Sequence, residues 1–423
     1  MTEITEVPSP FCGIGTDDLA IRVDGIKLQV TANGCAVNTP AFELPITDTQ
    51  ARVGGQEVSL ETAIRKAAEI LTNTRLPLFG GCATDVNGMR AILSLADRIG
   101  GIVDNSAFNN ARRNFLAMQD SGWMNTTLAE LKNRCDLLLV FGTDLEGFAP
   151  RFFERYLWSP EAMFVESPDK REIIYLGKSP SGAASAAPDG RKATVFSCSD
   201  ADLPEVAAVL AAMLKGKAIQ AQSVGGLTIA DLQSIIDKFK AASYGVVCWG
   251  AAALTFDHAE LAIQNLCAIV KDLNMQGVRC SGFPLGGKEG DQTANQVCGW
   301  TTGYPARVSF ARGYPEYDPF LFETQSLISN GEVDAFVWVQ TFNTNPPPAN
   351  SLPCIVLGRS GMKFSKEPDV FIPIGTPGID HSGNAFRLDN VVAIRLKKLR
   401  DSGLPGTADV LTAIEQLLQV SSC

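Results

Sequence analysis

The sequence predicts an α/β protein built on largely parallel sheets, and three observations carry that prediction. Short apolar runs of strand length alternate with longer stretches of helical period along most of the chain. Glycines close several of the strand-like runs, as Gly80-Gly81 follows Leu76–Phe79 and Gly142 follows Leu137–Phe141. The length of 423 residues, with 45% apolar and 19% charged side chains, suits two or three domains with buried cores and rules out a disordered chain.

The first fifty residues read as a small β-rich unit. Leu19–Val23 and Lys27–Val30 alternate as hairpin strands around Asp24-Gly25, a type I′ turn signal. Ser59 is placed as the N-cap of a helix whose apolar face is Leu60, Ala63, Ile64, Ala67, Ala68 and Leu71. A βαβ unit follows: strand Leu76–Phe79, helix Asp85–Arg98, a break at Gly100-Gly101, and strand Ile102-Val103. Strands are then expected at Leu137–Phe141, Ile173–Leu176 and Thr194–Phe196, with a helix over Asp202–Leu214. Thr228-x-x-Asp231 has the form of a capping box, ahead of strand Tyr244–Trp249 and helix Asp257–Val270. Gly282–Gly313, rich in glycine and aromatics, reads as a loop lining something. Strands Ala335–Val339, Cys354–Leu357 and Val370–Ile374 resume the pattern, and the tail after Leu396 reads as a helix or arm.

Charge narrows the function classes. Thirty-six basic against 46 acidic residues leave a net charge of −10, and no basic stripe is present to track a phosphate backbone. The longest uncharged apolar runs, Val206–Leu214 and Val246–Phe256, fall short of the ~20 residues that span a bilayer. The opening MTEITEVPSP carries acids and no apolar core of a signal peptide, so a cytoplasmic protein is the expectation. Eleven cysteines without a CxxC pair read as reduced, mostly buried thiols.

Candidate sites are sparse on the residues alone. Gly80-Gly81 and Gly286-Gly287 read as ordinary turns, since neither extends to a phosphate-cradling motif, and Lys288 reads as exposed loop. Asp380-His381-Ser382 has the residue types of a hydrolytic triad, but adjacent side chains diverge where a triad must converge. His258 fits a helix start or the surface, and Asp17-Asp18 a solvated turn. Cys12 and Cys35 are two thiols, too few for a closed metal site.

Three stretches carry a family resemblance. Asn295–Pro319 (NQVCGWTTGYPARVSFARGYPEYDP) resembles the signature loop of the B-type subunit of tungsten/molybdenum formylmethanofuran dehydrogenase. Asn133-Arg134-Cys135-Asp136 with LLLVFG (Leu137–Gly142) resembles that family's "nRaDvvvfwG" strand, and Gly378–Lys398 its C-terminal "GIEaeGtayRmDgvpirlkk". The similarity runs in the same order over nearly the whole length. It implies a molybdopterin-oxidoreductase-like fold: Rossmann-like parallel-sheet domains plus a small N-terminal β-rich domain. The expected division is 1–50 as the small domain, 51–105 with 290–423 as a discontinuous α/β domain, and 106–289 as an inserted one.

The departures from the family are as informative as the matches. Active members open with C-x2-C-x3-C before two aspartates and add a later cysteine, together holding a [4Fe–4S] cluster. Anchored on Asp17-Asp18, those positions here are Ser9, Cys12, Thr16 and Cys35, so two thiolates stand where four strong donors are needed. The family's "DNtasvCHGp" run, whose cysteine or selenocysteine binds tungsten or molybdenum, matches Asp104-Asn105-Ser106-Ala107. The metal ligand then falls on Asn110 and the neighbouring histidine on Ala111. A neutral amide is a poor donor for such a soft-ligand centre. The family's arginine and histidine in the glycine-rich loop align with Gly286 and Lys288.

Loss of cluster, metal ligand and polar groups together resembles the B-type subunit of the formyltransferase/hydrolase complex of methylotrophic bacteria, which releases formate from a formylated methofuran-type coenzyme in formaldehyde oxidation. The resemblance implies a non-catalytic scaffold with neither [4Fe–4S] nor tungsto- or molybdopterin. It also implies a zinc amidohydrolase-like subunit, a formyltransferase subunit and a further subunit as partners, with no nucleic acid and no membrane. A methofuran-type coenzyme is a possible bound substrate. Arg112, Arg113, Arg307 and Arg312 flank the former active site and could pair with the coenzyme's anionic tail, internal salt bridges being the competing reading. The alternatives are a divergent dehydrogenase that keeps a W/Mo pterin, and an independent α/β binding protein.

Overall fold

The structure is a computed structural model that describes residues 1–420. The chain divides into two compact units, Met1–Phe108 with the chain from Gly287 onward, and Asn109–Gly286.

A nine-stranded sheet organises the first unit. Its middle is five parallel strands in the order Ile102–Val103, Pro77–Ala83, Ala335–Gln340, Cys354–Arg359 and Val370–Ile374. The five are buried along their whole length, as parallel strands covered on both faces must be, which is why they read as unbroken hydrophobic runs. Short antiparallel strands finish the edges: Val308–Ser309 and Glu316–Tyr317 on one side, Ala51–Val53 and Gln56–Val58 on the other. Helix Leu60–Thr72 starts at Ser59, whose side chain accepts from the amide of Thr62. Helix Val86–Ile99 starts at Asp85, which accepts from Gly88, and ends at Gly100 in the left-handed conformation. Helix Thr407–Val420 lies against both.

The N-terminal residues of this unit form an antiparallel sheet of Thr2–Val7, Leu19–Asp24 and Lys27–Ala32. Val7, Phe11, Leu19, Ile21 and Phe42 make its core together with Ala83, Phe342, Ile379 and Leu399. Asp24 pairs with Lys27, so the hairpin loop is Gly25-Ile26. Only Gly25 has positive φ, +58°, which matches a type II′ turn rather than the expected type I′.

The second unit is a five-stranded, all-parallel sheet in the order Thr194–Ser197, Glu172–Gly177, Leu137–Phe141, Gly245–Gly250 and Cys280–Leu285. Helices Leu203–Leu214, Ile229–Ala241 and Ala259–Met275 contribute Leu210, Phe239 and Leu266 to its core. The capping box at Thr228 and Asp231 is formed reciprocally. Among the described residues no helix is long and apolar enough to cross a membrane.

Two further expectations fail here. Gly80-Gly81 is not a turn but lies inside strand Pro77–Ala83, where Gly81 (φ +76°) sits at an irregularity in the pairing with Ala335–Gln340. The stretch Gly282–Gly313 is not a loop throughout, for Asp291–Thr302 is a helix between Gly290 and Gly303, both left-handed. Its buried face is Thr293, Ala294, Val297 and Cys298, a helical period hidden by small and polar residues.

Candidate functional site

The positions aligned with the cluster ligands are close together in the first unit and occupied with one another. Ser9 Oγ donates to Asn38 Oδ1 at 2.6 Å, and Asn38 Nδ2 donates to Thr16 Oγ1 at 3.2 Å. Thr16 Oγ1 in turn lies 3.3 Å from Cys12 Sγ, which also accepts from the Thr16 amide at 3.5 Å. Cys35 Sγ accepts from the Asn38 amide at 3.4 Å. Asn38 opens the short helix Asn38–Phe42 and is fully buried, so its amide is a fixed bridge between the two polar residues that stand where thiolates would be needed.

Lys288 closes the same place from another loop. A Cβ added at Gly13, next to Cys12, would stand 3.3 Å from Lys288 Cγ, so the lysine stem lies on this loop. Burial pushes its ammonium down from its ordinary value, against the favourable fields of Cys12, Glu289 and Cys35. The side chain expected on an exposed loop is thus half-buried. Two thiols and two hydroxyls do not fit a [4Fe–4S] cluster, which needs four strong anionic donors, and here the hydroxyls are spent in the network.

The run aligned with the metal-ligand loop builds an ion pair. Asp104 and Arg307 are both fully enclosed, with Arg307 Nε donating to Asp104 Oδ1 at 3.1 Å. Asp104 Oδ2 accepts from the amide and hydroxyl of Thr324 at 2.9 and 2.7 Å. Burial nevertheless holds the Asp104 carboxyl above its ordinary value, with Arg307 and Thr324 pulling it down. Arg307 also donates to the Pro319 carbonyl, lies over the Phe108 ring at 4.9 Å, and has Glu323 at 3.9 Å. Its φ of +72° is a left-handed conformation that a non-glycine residue adopts only when its surroundings demand it.

The other predicted residues are dispersed. Asn110 is exposed on helix Phe108–Ser121, and Ala111 is half-buried. Arg113 donates to the Ala251 carbonyl at 2.9 Å, and Arg112 is half-buried; both belong to the second unit. Arg312, in the first unit, is exposed, bonded to Glu316 at 2.9 Å and set over Tyr314. Asp380 binds Arg400 and the Thr376 amide, while the ring nitrogens of His381 face the carbonyls of Ser382 and Gly375, so the two side chains do not converge. His258 is a surface residue 3.4 Å from Glu260. The ten cysteines within the described residues are free thiols.

A group that the sequence did not mark lies at the carboxyl edge of the large sheet, where open α/β sheets place ligands. Glu289 (φ +53°) and Gly290 (φ +91°) turn the backbone sharply. A Cβ on Gly290 would meet the Thr84 amide and the Phe342 ring at 2.9 Å, just past strands Pro77–Ala83 and Ala335–Gln340. Asn343 Nδ2 donates to Glu289, and Asp291 folds back over Gly287 to face Asn105. Burial, reinforced by the charge of Glu289, pushes the Asp291 carboxyl up to about 8, so it holds its proton at neutral pH. The only hint in the sequence was the Gly286-Gly287 pair. The arrangement can hold a proton and offer amides.

No family model matches the chain. It is 26% identical over 422 residues to the B-type subunit of the tungsten-containing formylmethanofuran dehydrogenase 2 of Methanocaldococcus jannaschii, covering 94% of each chain. The protein of the same name from Methanococcus maripaludis is also 26% identical, over 423 residues. The B-type subunit of the formyltransferase/hydrolase complex Fhc of Methylorubrum extorquens is 27% identical over 329 residues, covering 77% of this chain and 85% of that one. Among solved structures, a chain of the formyltransferase/hydrolase complex FhcABCD from M. extorquens, crystallised with methylofuran, matches with a TM-score of 0.75 at 24% identity. That match covers 88% of this chain and 99% of the other. Along nearly its whole length the chain resembles the B-type subunit of formylmethanofuran dehydrogenase and its counterpart in the formyltransferase/hydrolase complex, and it has the fold of a chain of the latter assembly.

Proposed function

We propose that the chain is a scaffold subunit of a cytoplasmic formyltransferase/hydrolase complex that releases formate from a formylated methofuran-type coenzyme during formaldehyde oxidation. In this reading it performs no redox chemistry and holds neither [4Fe–4S] nor tungsto- or molybdopterin. The observation that carries the proposal is the Ser9–Asn38–Thr16–Cys12 network with the Lys288 stem beside Gly13, which supports loss of the cluster better than a missing residue would. Similarity to a subunit of the M. extorquens complex supports the hetero-oligomer. The partners would be a zinc amidohydrolase-like subunit, a formyltransferase subunit and a further subunit. Arg307 is committed to Asp104, so a contact with an anionic coenzyme tail would fall to Arg112 or Arg113 of the second unit or, separately, to the exposed Arg312 of the first, which would exchange its bond to Glu316 for it.

Elemental analysis of the complex purified with its partners tests this. The expected result is formate release with tungsten, molybdenum and cluster iron each far below one atom per chain. The second reading, a divergent dehydrogenase, draws on full-length similarity to a tungsten-containing enzyme. Stoichiometric tungsten or molybdenum, or the broad visible absorption of a cluster, would establish that reading and remove the first.

A further inference from the structure

The second unit carries a cleft that none of the foregoing chemistry uses. It has a volume of about 400 Å³, inside the range of small-molecule sites, and is lined by Glu130, Arg134, Phe164, Ser243, Tyr244 and Arg279. It lies at the amino ends of the strands, since Arg134, Tyr244 and Arg279 closely precede Leu137–Phe141, Gly245–Gly250 and Cys280–Leu285. This is the edge opposite to the one where open α/β sheets ordinarily take ligands.

The walls are held from behind, so the cleft is preformed. Arg134, at the end of helix Leu128–Arg134, bonds Glu130 one turn back at 2.5 Å and lies over the Phe164 ring at 3.9 Å. Phe164 is held through its amide, which donates to the Asn133 carbonyl, and the Met163 amide donates to Asn133 Oδ1. The amides of Ser243 and Tyr244 are fixed by the carboxylate of Asp136, and the Tyr244 hydroxyl by Thr126 and Ser281. Against this framework Arg279 stands apart: it is exposed and makes no ion pair among the described residues.

Charge and shape then select the ligand. Glu130 and Arg134 cancel, leaving the cleft with one uncompensated cation on a chain whose net charge is −10. Phe164 has one face under Arg134 and remains 58% exposed, so it offers a flat apolar surface beside that cation. We propose that this cleft binds a small organic anion bearing a flat ring, an aromatic carboxylate, with the ring on Phe164 and the carboxylate on the Arg279 guanidinium.

The test uses the full chain titrated with benzoate, cyclohexanecarboxylate, benzamide and sulfate, followed by calorimetry and saturation-transfer NMR. Benzoate is expected to bind with Kd on the order of 1 mM, near what a ligand of its size gains. Cyclohexanecarboxylate and benzamide, each lacking one feature, should bind about tenfold more weakly. Arg279→Ala and Phe164→Ala, both at exposed positions, should each weaken benzoate about tenfold, and Arg279→Lys less, because an ammonium keeps the charge without the fork. Sulfate binding as tightly as benzoate, with Phe164→Ala silent, would reduce the site to a bare surface cation and overturn the proposal. So would benzoate affinity unchanged in both variants.

Discussion

Removing the carboxylate of Asp104 without changing its shape isolates the buried pair. In Asp104→Asn, Arg307 keeps its enclosed position and its bond to the Pro319 carbonyl but faces an amide, with Glu323 farther off at 3.9 Å. Breaking a buried pair from one side costs about 3 to 5 kcal/mol, most of it the uncompensated charge. The Thr324 bonds partly survive on the amide oxygen, which places the expected loss near 4 kcal/mol, on the order of half the stability of an average domain. Arg307→Met should cost a similar amount by leaving the buried Asp104 without its cation, held by the neutral hydrogen bonds from Thr324. The double variant removes both charges and should recover at least about 2 kcal/mol relative to the sum of the singles. Urea denaturation followed by tryptophan fluorescence measures all four proteins. Losses that simply add, or a single-variant loss below about 1 kcal/mol, would show that the pair is not the enclosed, mutually dependent contact described above.

Other outcomes follow from the same geometry. Asp291 keeps its proton up to about pH 8 in the folded chain and loses it near 3.8 when unfolded, so the folded state binds more protons in between. Stability is therefore greatest at the acidic end of that window and falls with rising pH by at most about 1.4 kcal/mol per unit. Asp291→Asn should flatten that slope in denaturation curves taken at pH 6 and 8, and an unchanged slope would count against the assignment. Arg171, buried, donates to the carbonyls of Tyr156, Leu157 and Lys132, tying together two helical ends; Arg171→Leu should cost about 3 kcal/mol. Arg171→Lys should fail to restore it, because a single ammonium cannot reproduce the fork, and full rescue by lysine would contradict this. Ser9→Cys with Thr16→Cys adds two thiolates to those of Cys12 and Cys35, making the four a cluster needs. After anaerobic treatment with iron and sulfide that variant should take up iron while the parent protein does not, and equal uptake by both would refute the network's role.

What the sequence made legible was whatever depends on local pattern. The buried parallel strands announced themselves because both faces are covered, and helix starts at Ser59, Asp85 and Thr228 because a capping side chain is a local device. The type of the hairpin turn and the helix Asp291–Thr302 escaped, the latter because a buried face of Thr, Ala and Cys resembles loop composition. Asp291 gave no signal either, since its proton affinity comes from burial in the folded chain, reinforced by Glu289. The two roles open to Arg307 were separated only by seeing Asp104, 203 positions away, beside it. Likewise Arg134, Tyr244 and Arg279 are unremarkable surface residues until adjacent strands bring their loops together.

The pairing of Leu78 with Phe336 has a consequence for biogenesis. On the ribosome, strand Pro77–Ala83 emerges long before its neighbour Ala335–Gln340 exists, and all of Asn109–Gly286 is made in the interval. The intervening segment can close its own five-stranded sheet while the apolar strand ahead of it, paired on one side with Ile102–Val103, waits with its other edge open. An open apolar strand edge is aggregation-prone, so slower synthesis of the intervening segment is expected to lower the yield of folded protein, and a chaperone that covers the edge to raise it.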